Sequence, residues 1–224
     1  MPSERDPIGA PVESIDLSPD DGWVEFADRL RALTGDVRVV VVRVPSDRSG
    51  RAASDDAAAP DQLEARAQAL ERLASPDVIF VAIAGGRCEG AGLAIALGCD
   101  LRLADAAAEF AFSSPELFGV LRRLAGAVGQ TRALELCLTG RRMPAAEAAA
   151  CGLVNLVVGG GQVVDAVDDL TAALLATPRE LATELKRALL ATSSGHPGAT
   201  KISLSEELAA IVRLTGDDGG GREG

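Results

Sequence analysis

The strongest constraint on the fold is a buried strand that runs through a glycine-rich turn into an apolar helix, between residues 78 and 98. The strand is Val78-Ile79-Phe80-Val81-Ala82-Ile83, and the helix that follows is apolar on every face. Both elements therefore belong inside an α/β core. The turn carries Gly90, Ala91 and Gly92, whose small side chains leave the main chain open to a ligand.

The start of this helix is the first candidate functional site. The first N–H groups of a helix have no partner within it, and they carry a partial positive charge. Such donors beside a bare turn stabilise an oxygen that becomes negative during a reaction. Cys88 stands on the same turn, where we expect it to be accessible, whereas Cys99 and Cys137 lie in apolar helical patterns and are expected in the core.

A nearly continuous run of valines indicates that the sheet is parallel. Residues 36–44 include Val37, Val39, Val40, Val41, Val42 and Val44, and such a run is typical of a strand buried on both faces. Further strands are predicted at residues 12–17, 100–104, 109–113 and 153–158. Helices are predicted at residues 22–33, 61–74, 131–138, 145–151, 162–176, 178–192 and 201–214. Strands that alternate with helices predict right-handed βαβ crossovers and a parallel sheet.

Two segments interrupt this pattern. Residues 45–60 are rich in serine, aspartate, alanine and arginine, a polar composition that predicts a mobile segment. Residues 139–144 are predicted to form a turn.

The charge balance excludes several kinds of partner. The net charge is −11 and the isoelectric point is near 4.6, so nucleic acid and anionic membranes are not expected to bind, because both require basic patches.

The chain has no apolar run of the roughly 18–20 residues that span a bilayer, and the polar N-terminus lacks the apolar core of a secretion signal. The expected location is the cytoplasm. The four cysteines are not in ligand spacing and have no histidine beside them, so no metal site is expected.

Several motifs, in order, resemble the crotonase superfamily, the family of enoyl-CoA hydratases and isomerases. They are the strand at residues 37–42; the block from Ala84 to Ala104, with Gly90-Ala91-Gly92 and Cys99-Asp100-Leu101-Arg102; the block Phe110 to Glu116; and the "LTG…A…A…GLV" block from Leu134 to Val154. The resemblance implies a crotonase-like ββα spiral core with a helical C-terminal region. It divides the chain into a flexible tail (1–11), the core (12–158), a helical oligomerisation region (159–215) and a second flexible tail (216–224).

The resemblance also implies a ligand and its contacts. In that family two backbone N–H groups hold the thioester oxygen of an acyl-CoA. Matched by position, one donor is the N–H of Ala91, flanked by Gly90 and Gly92, and the other lies near Ala53. Arg87 and Arg51 are candidates for binding the phosphates of the coenzyme. No cofactor is implied beyond the coenzyme A of the substrate, and the expected assembly is a homotrimer or hexamer.

The sequence departs from the family pattern at the proton-carrying positions. Ala94 stands where hydratases carry one catalytic glutamate. Glu116 follows a proline as the second glutamate does, but it stands two residues later than the usual spacing from Phe110, so it is the candidate acid or base only if a bulge restores its place. Glu89 is a further candidate carboxylate, and His196 is expected in an exposed loop. Two carboxylates are needed for water addition, whereas one suffices for a double-bond isomerase.

Three functions stay open at this point. The first is an acyl-CoA hydratase or isomerase with an altered mechanism. The second is a helper subunit that binds acyl-CoA without chemistry. The third is a structural subunit whose site has closed. A carboxylate within reach of the thioester favours the first, and an intact site without one favours the second.

Overall fold

The computed structural model of the chain describes residues 11–18, 21–44, 46, 60–112, 117 and 119–193. Its strands are β1 (Val12–Asp16), β2 (Val39–Arg43), β3 (Ile79–Ala84), β4 (Arg87–Cys88), β5 (Leu101–Asp105), β6 (Glu109–Ala111), β7 (Arg142–Pro144) and β8 (Leu156–Val158). Five of them form a main sheet in the order β1-β2-β3-β5-β8, and all its neighbours pair in parallel. The predicted α/β class and parallel sheet are therefore confirmed.

Helices connect these strands on both faces of the main sheet. They are α1 (Trp23–Arg31), α2 (Pro60–Leu73), α3 (Gly90–Gly98), α4 (Leu121–Val128), α5 (Gln130–Thr139), α6 (Ala145–Ala150), α7 (Val163–Ala176) and α8 (Arg179–Ser193). All but α4 were predicted from the sequence. The predicted mobile segment at residues 45–60 and the predicted helix at residues 201–214 lie almost entirely outside the described residues, which include only Ser46 and Pro60 of the former.

The two faces of the main sheet are both covered, as the valine run predicted. Val40, Val42, Phe80 and Ala82 point into the larger hydrophobic cluster, which also holds α1, α2 and α3. The alternate residues Val39, Val41, Val81 and Ile83 point into a smaller cluster with Val167 of α7. Successive side chains of a strand face opposite ways, so burial on both sides requires apolar residues at every position.

A small second sheet of β4, β6 and β7 was not predicted as such. The prediction of a turn at residues 139–144 was wrong in its second half, because β7 pairs antiparallel with β6 there. Cys88, Phe110 and Met143 are register partners or neighbours on its buried face. The opposite face carries Arg87, Glu109 and Arg142. Strands of two or three residues contain too little alternation to be recognised in a sequence.

The sequence pattern of α2 predicts an apolar face of Leu63, Ala67, Leu70 and Leu73, and the packing agrees with only part of it. Ala65, Ala69 and Leu73 are its buried positions, whereas Leu63 is 49% exposed and Ala67 is exposed. Spacing of three to four residues fits either face of this alanine-rich helix, so periodicity alone did not select the face. Across the described ranges, no helix is long and apolar enough to cross a membrane.

Candidate functional site

The turn between β3 and α3 lies at the carboxyl edge of the main sheet, where the neighbouring strand β2 also ends. Gly86 and Gly90 both have φ of +56°, a conformation that favours glycine. A Cβ atom added to Gly86 would lie 3.3 Å from Ser46 Cβ. Ser46 stands three residues after the end of β2, and the Val44 N–H between them donates to the Ile83 carbonyl of β3. The parallel pairing of β2 and β3 thus brings Ser46 against the glycine-rich turn.

The N-terminus of α3 presents free donor positions at this edge. Glu89 is its extended N-cap residue, and the first bond of the helix runs from the Leu93 N–H to the Glu89 carbonyl, at 3.3 Å. The N–H groups of Gly90, Ala91 and Gly92 precede that bond, and they carry the positive end of the helix dipole. Gly90 and Ala91 are partly exposed, while every residue from Gly92 to Cys99 is buried. The arrangement can accept a partly negative oxygen.

Arg87 and Glu89 form an ion pair beside this helix start. Arg87 Nη2 lies 3.1 Å from Glu89 Oε1, and the two side chains are 33% and 22% exposed. Arg87 Nε is buried and has no hydrogen-bond partner among the described residues. An unpaired buried donor is costly, so a bound anionic oxygen is one way to satisfy it.

Cys88 lies between these two residues but points into the core. The prediction that it is accessible was wrong, because it is fully buried in the contact of the small sheet with the main cluster. Burial raises the pKa of the Cys88 thiol to about 12, with Glu89 adding to the rise. A thiol in that state is not a nucleophile near neutral pH.

The position that the resemblance matches to a hydratase glutamate holds a buried methyl group. Ala94 is fully buried on α3, and its methyl group carries no proton. Glu116, Ala53, Arg51 and His196 lie outside the described residues. Of the predicted site residues, Gly90, Ala91, Gly92, Arg87 and Glu89 are therefore the ones that the structure brings together.

The opposite end of α3 holds a group of charged side chains that the sequence reading only partly found. Arg102 donates to the carbonyl oxygens of Leu153 at 2.6 Å and Cys99 at 3.0 Å, so it caps the end of the helix. Asp100 has a structural role, because its Oδ2 accepts a bond from the Phe80 N–H at 2.8 Å. Arg123 and Lys186 were missed, because nothing local in a sequence links them to residues 25 and 86 positions away.

Comparison with known proteins gives one consistent result. A family model described as enoyl-CoA hydratase/isomerase matches residues 25–213. A probable enoyl-CoA hydratase (echA8) of Mycobacterium tuberculosis is 34% identical over 150 residues, which cover 64% of this chain and 55% of that protein. A peroxisomal Δ(3,5)-Δ(2,4)-dienoyl-CoA isomerase of Arabidopsis thaliana is 33% identical over 108 residues, or 46% of this chain and 38% of that protein. The chain thus spans about half or less of these curated relatives.

Solved structures agree with the fold. A putative enoyl-CoA hydratase from Thermobifida fusca, solved in complex with acetoacetyl-CoA, is 30% identical and superposes with a TM-score of 0.70. The match covers 87% of this chain and 84% of that one. The same protein has also been solved in complex with CoA, with a TM-score of 0.68.

The parallel main sheet, the small second sheet and the glycine turn at the start of a buried helix define a crotonase-type α/β protein. The chain belongs to the enoyl-CoA hydratase/isomerase family of the crotonase superfamily. Within the described ranges, no three histidine, cysteine, aspartate or glutamate side chains are grouped so that they could hold a metal ion.

Proposed function

We propose that the protein binds an acyl-CoA thioester and acts on it as an enzyme of the hydratase/isomerase type. The observation that carries this proposal is the N-terminus of α3, where the Ala91 N–H comes before the first helical bond, from the Leu93 N–H to the Glu89 carbonyl. That N–H is one donor to the thioester oxygen, and a second comes from the chain near Ala53. Gly90 and Gly92 allow the ligand to approach the main chain.

Two backbone donors stabilise the enolate that forms when a proton leaves C2 of the acyl group. Preorganised N–H groups need no reorganisation when the charge appears, and each lowers the activation free energy by about 3–4 kcal/mol. Glu116 is the proton carrier in this proposal. Because Ala94 supplies no second carboxylate, the chemistry is a one-carboxylate proton transfer, as in a double-bond isomerase, rather than the addition of water.

Arg87 supplies the positive charge near the ligand. Its ion pair with Glu89 holds the guanidinium beside the start of α3, and the exposed part of that side chain provides donors for a phosphate oxygen of the coenzyme. No other cofactor takes part. The core at residues 12–158 holds this site, and residues 159–215 assemble the chain into a homotrimer or hexamer in the cytoplasm, with short tails at residues 1–11 and 216–224.

The donor role of Ala91 is tested by a substitution that removes its backbone N–H. Ala91→Pro deletes the N–H without breaking a helical bond, because the first such bond belongs to Leu93 and proline is tolerated in the first turn of a helix. Ala91→Gly keeps the N–H and is the matched control. We expect isothermal titration to show tight acetoacetyl-CoA binding in the parent and in Ala91→Gly, and at least tenfold weaker binding in Ala91→Pro. Equal binding by all three would refute the donor role.

A second candidate function is an acyl-CoA-binding helper subunit, and the burial of Ala94 favours it. Binding followed by a turnover assay on a panel of enoyl-CoA substrates separates the two. Turnover that disappears in Glu116→Gln supports the enzyme. Binding without turnover supports the helper, and no binding leaves a structural subunit.

A further inference from the structure

The C-terminal end of α3 is held by arginines from two other elements. Arg123 of α4 donates through Nη1 to the carbonyl oxygen of Gly98, the last residue of the helix. Arg102 of β5 donates through Nη1 to the carbonyl oxygens of Cys99 at 3.0 Å and Ala96 at 3.5 Å. The carbonyls of Gly98 and Cys99 belong to the end that a helix leaves without internal partners, whereas the Ala96 carbonyl also accepts the Cys99 N–H at 3.2 Å.

The same end is tied to β3 and α8. The Asp100 N–H donates to the Phe80 carbonyl at 2.9 Å, and the Phe80 N–H donates to Asp100 Oδ2 at 2.8 Å. Lys186 Nζ lies 2.7 Å from the same Asp100 oxygen. These bonds therefore connect the start of β3 to the C-terminal end of α3, on the side opposite the glycine turn.

Three cations against one carboxylate leave this end of α3 with a net positive charge. The carbonyl end of a helix is the negative pole of its dipole. Here that pole is neutralised by one buried cation, Lys186, and by the partly buried Arg102 and Arg123, and water screens such charges less than exposed ones. At about 1.5 Å per residue, the N-terminal donors are only about 12 Å away. The cations therefore raise the positive potential at the Ala91 N–H, and they also prevent the helix from sliding along its axis.

We propose that Arg123, supported by Arg102, is a positioning residue for the thioester-oxygen site. From the C-terminal end of α3 it holds the helix in place and makes the electrostatic potential at the Ala91 N–H more positive. This inference rests on the proposed function, since it assigns a further residue to the same site. It predicts that Arg123 affects ligands with a partly negative oxygen at the site more than ligands without one.

The test compares acetoacetyl-CoA, which can bind as its enolate, with CoA, which has no acyl oxygen. The variants are Arg123→Met and Arg123→Lys, with Arg122→Met, an exposed neighbour on α4, as the matched control. In Arg123→Met we expect the preference for acetoacetyl-CoA over CoA to fall by about three- to tenfold, from the loss of one charge at that distance. The pH at which the bound ligand ionises, followed by its ultraviolet absorbance, should rise by about half a unit to one unit. Arg123→Lys should retain most of the preference, and Arg122→Met all of it.

The outcomes separate this inference from the proposed function. If the parent protein shows no preference for acetoacetyl-CoA, the thioester-oxygen site itself is wrong. If the parent shows it and a folded Arg123→Met keeps it unchanged, the positioning role is wrong. Equal weakening of both ligands also overturns the role, because that is the result of a purely structural change. If Arg123→Met does not fold, Arg123→Gln keeps a donor for Gly98 without the charge and is judged by the same ratio.

Discussion

Lys186 and Asp100 form a buried ion pair across 86 residues of sequence, with Nζ 2.7 Å from Oδ2. The ammonium group also donates to the carbonyl oxygens of Leu73 at 3.1 Å and Val78 at 2.7 Å, so all three of its hydrogens are used. It lies 5.1 Å from the centre of the Phe80 ring. One side chain of α8 therefore joins the end of α2, the start of β3 and the end of α3.

Breaking this pair should cost stability. Burial raises the pKa of Asp100 against the opposing attraction of Lys186, and burial lowers the pKa of Lys186. Lys186→Met leaves a buried carboxyl without its cation, and we expect the free energy of unfolding to fall by about 3–5 kcal/mol in urea titrations. The double variant with Asp100→Asn should lose less than the sum of the two single variants.

The neighbouring Arg187, which pairs with Glu184 at the surface, is the control for this prediction. Arg187→Met should change the unfolding free energy by less than about 1 kcal/mol. A loss in Lys186→Met no larger than that of the control would contradict the role of the buried pair.

The close packing of α3 on α2 requires glycine at position 98. A Cβ atom there would lie 2.6 Å from Leu73 Cδ1, and Leu73 is fully buried, so it has little room to yield. Gly98→Ala should therefore destabilise the protein by about 1–3 kcal/mol. Gly85→Ala, where no atom lies within 4 Å of the added carbon, should stay within about 0.5 kcal/mol of the parent in thermal unfolding. Equal melting temperatures would show that α2 and α3 are not closely packed.

The four cysteines should differ in reactivity. Cys88 and Cys99 are buried, and burial raises the pKa of each thiol to about 12. Cys137 and Cys151 are partly exposed. With iodoacetamide at pH 8, mass spectrometry of the native protein should show labelling at Cys137 and Cys151 long before the other two. Early labelling of Cys88 would mean that the turn opens in solution.

The buried thiols of Cys88 and Cys99 should make the free energy of unfolding decrease at alkaline pH. Their pKa is raised on folding from an ordinary value of 9.0 to about 12, so the unfolded chain releases these protons first as the pH rises. Stability is then complete below pH 9 and falls above it, by about 1 kcal/mol per thiol between pH 9 and pH 10. The chain has no tyrosine to add to this effect. Urea titrations at pH 7, 9 and 10 should show a weaker decline in the double variant Cys88→Ala, Cys99→Ala, and an unchanged decline would refute the assignment.

Arg87 should affect ligand binding through its charge. Arg87→Gln is expected to weaken CoA binding by about three- to tenfold and to reduce the dependence of binding on salt, because an ion pair with a phosphate is lost. Arg142→Gln is a suitable control, since Arg142 lies on the same face of the small sheet and pairs with Glu109 at 3.7 Å. Calorimetry at two salt concentrations checks both. Similar losses in the two variants would indicate a general effect of charge.

The elements whose pattern is local and long enough could be predicted. The valine run of β2, the strand β3 and the all-apolar helix α3 each need burial on more than one face, and that requirement is written in consecutive residues. The glycine turn between them was predicted for the same reason. The predicted positions of Gly90, Ala91 and Gly92 at the start of a helix follow from these elements.

Other features could not be predicted because their cause lies elsewhere in the chain. The strands β4 and β7 are held by register with β6, the inward direction of Cys88 is set by Phe110 and Met143, and the exposed face of α2 by what packs on Ala65 and Ala69. By itself, the sequence determined the parallel α/β core and the glycine-rich turn, since hydrophobic periodicity and glycine conformation act over a few residues. Only the tertiary structure decided which charges meet at the far end of α3, because Arg102, Arg123, Asp100 and Lys186 come together through folding of the whole sheet.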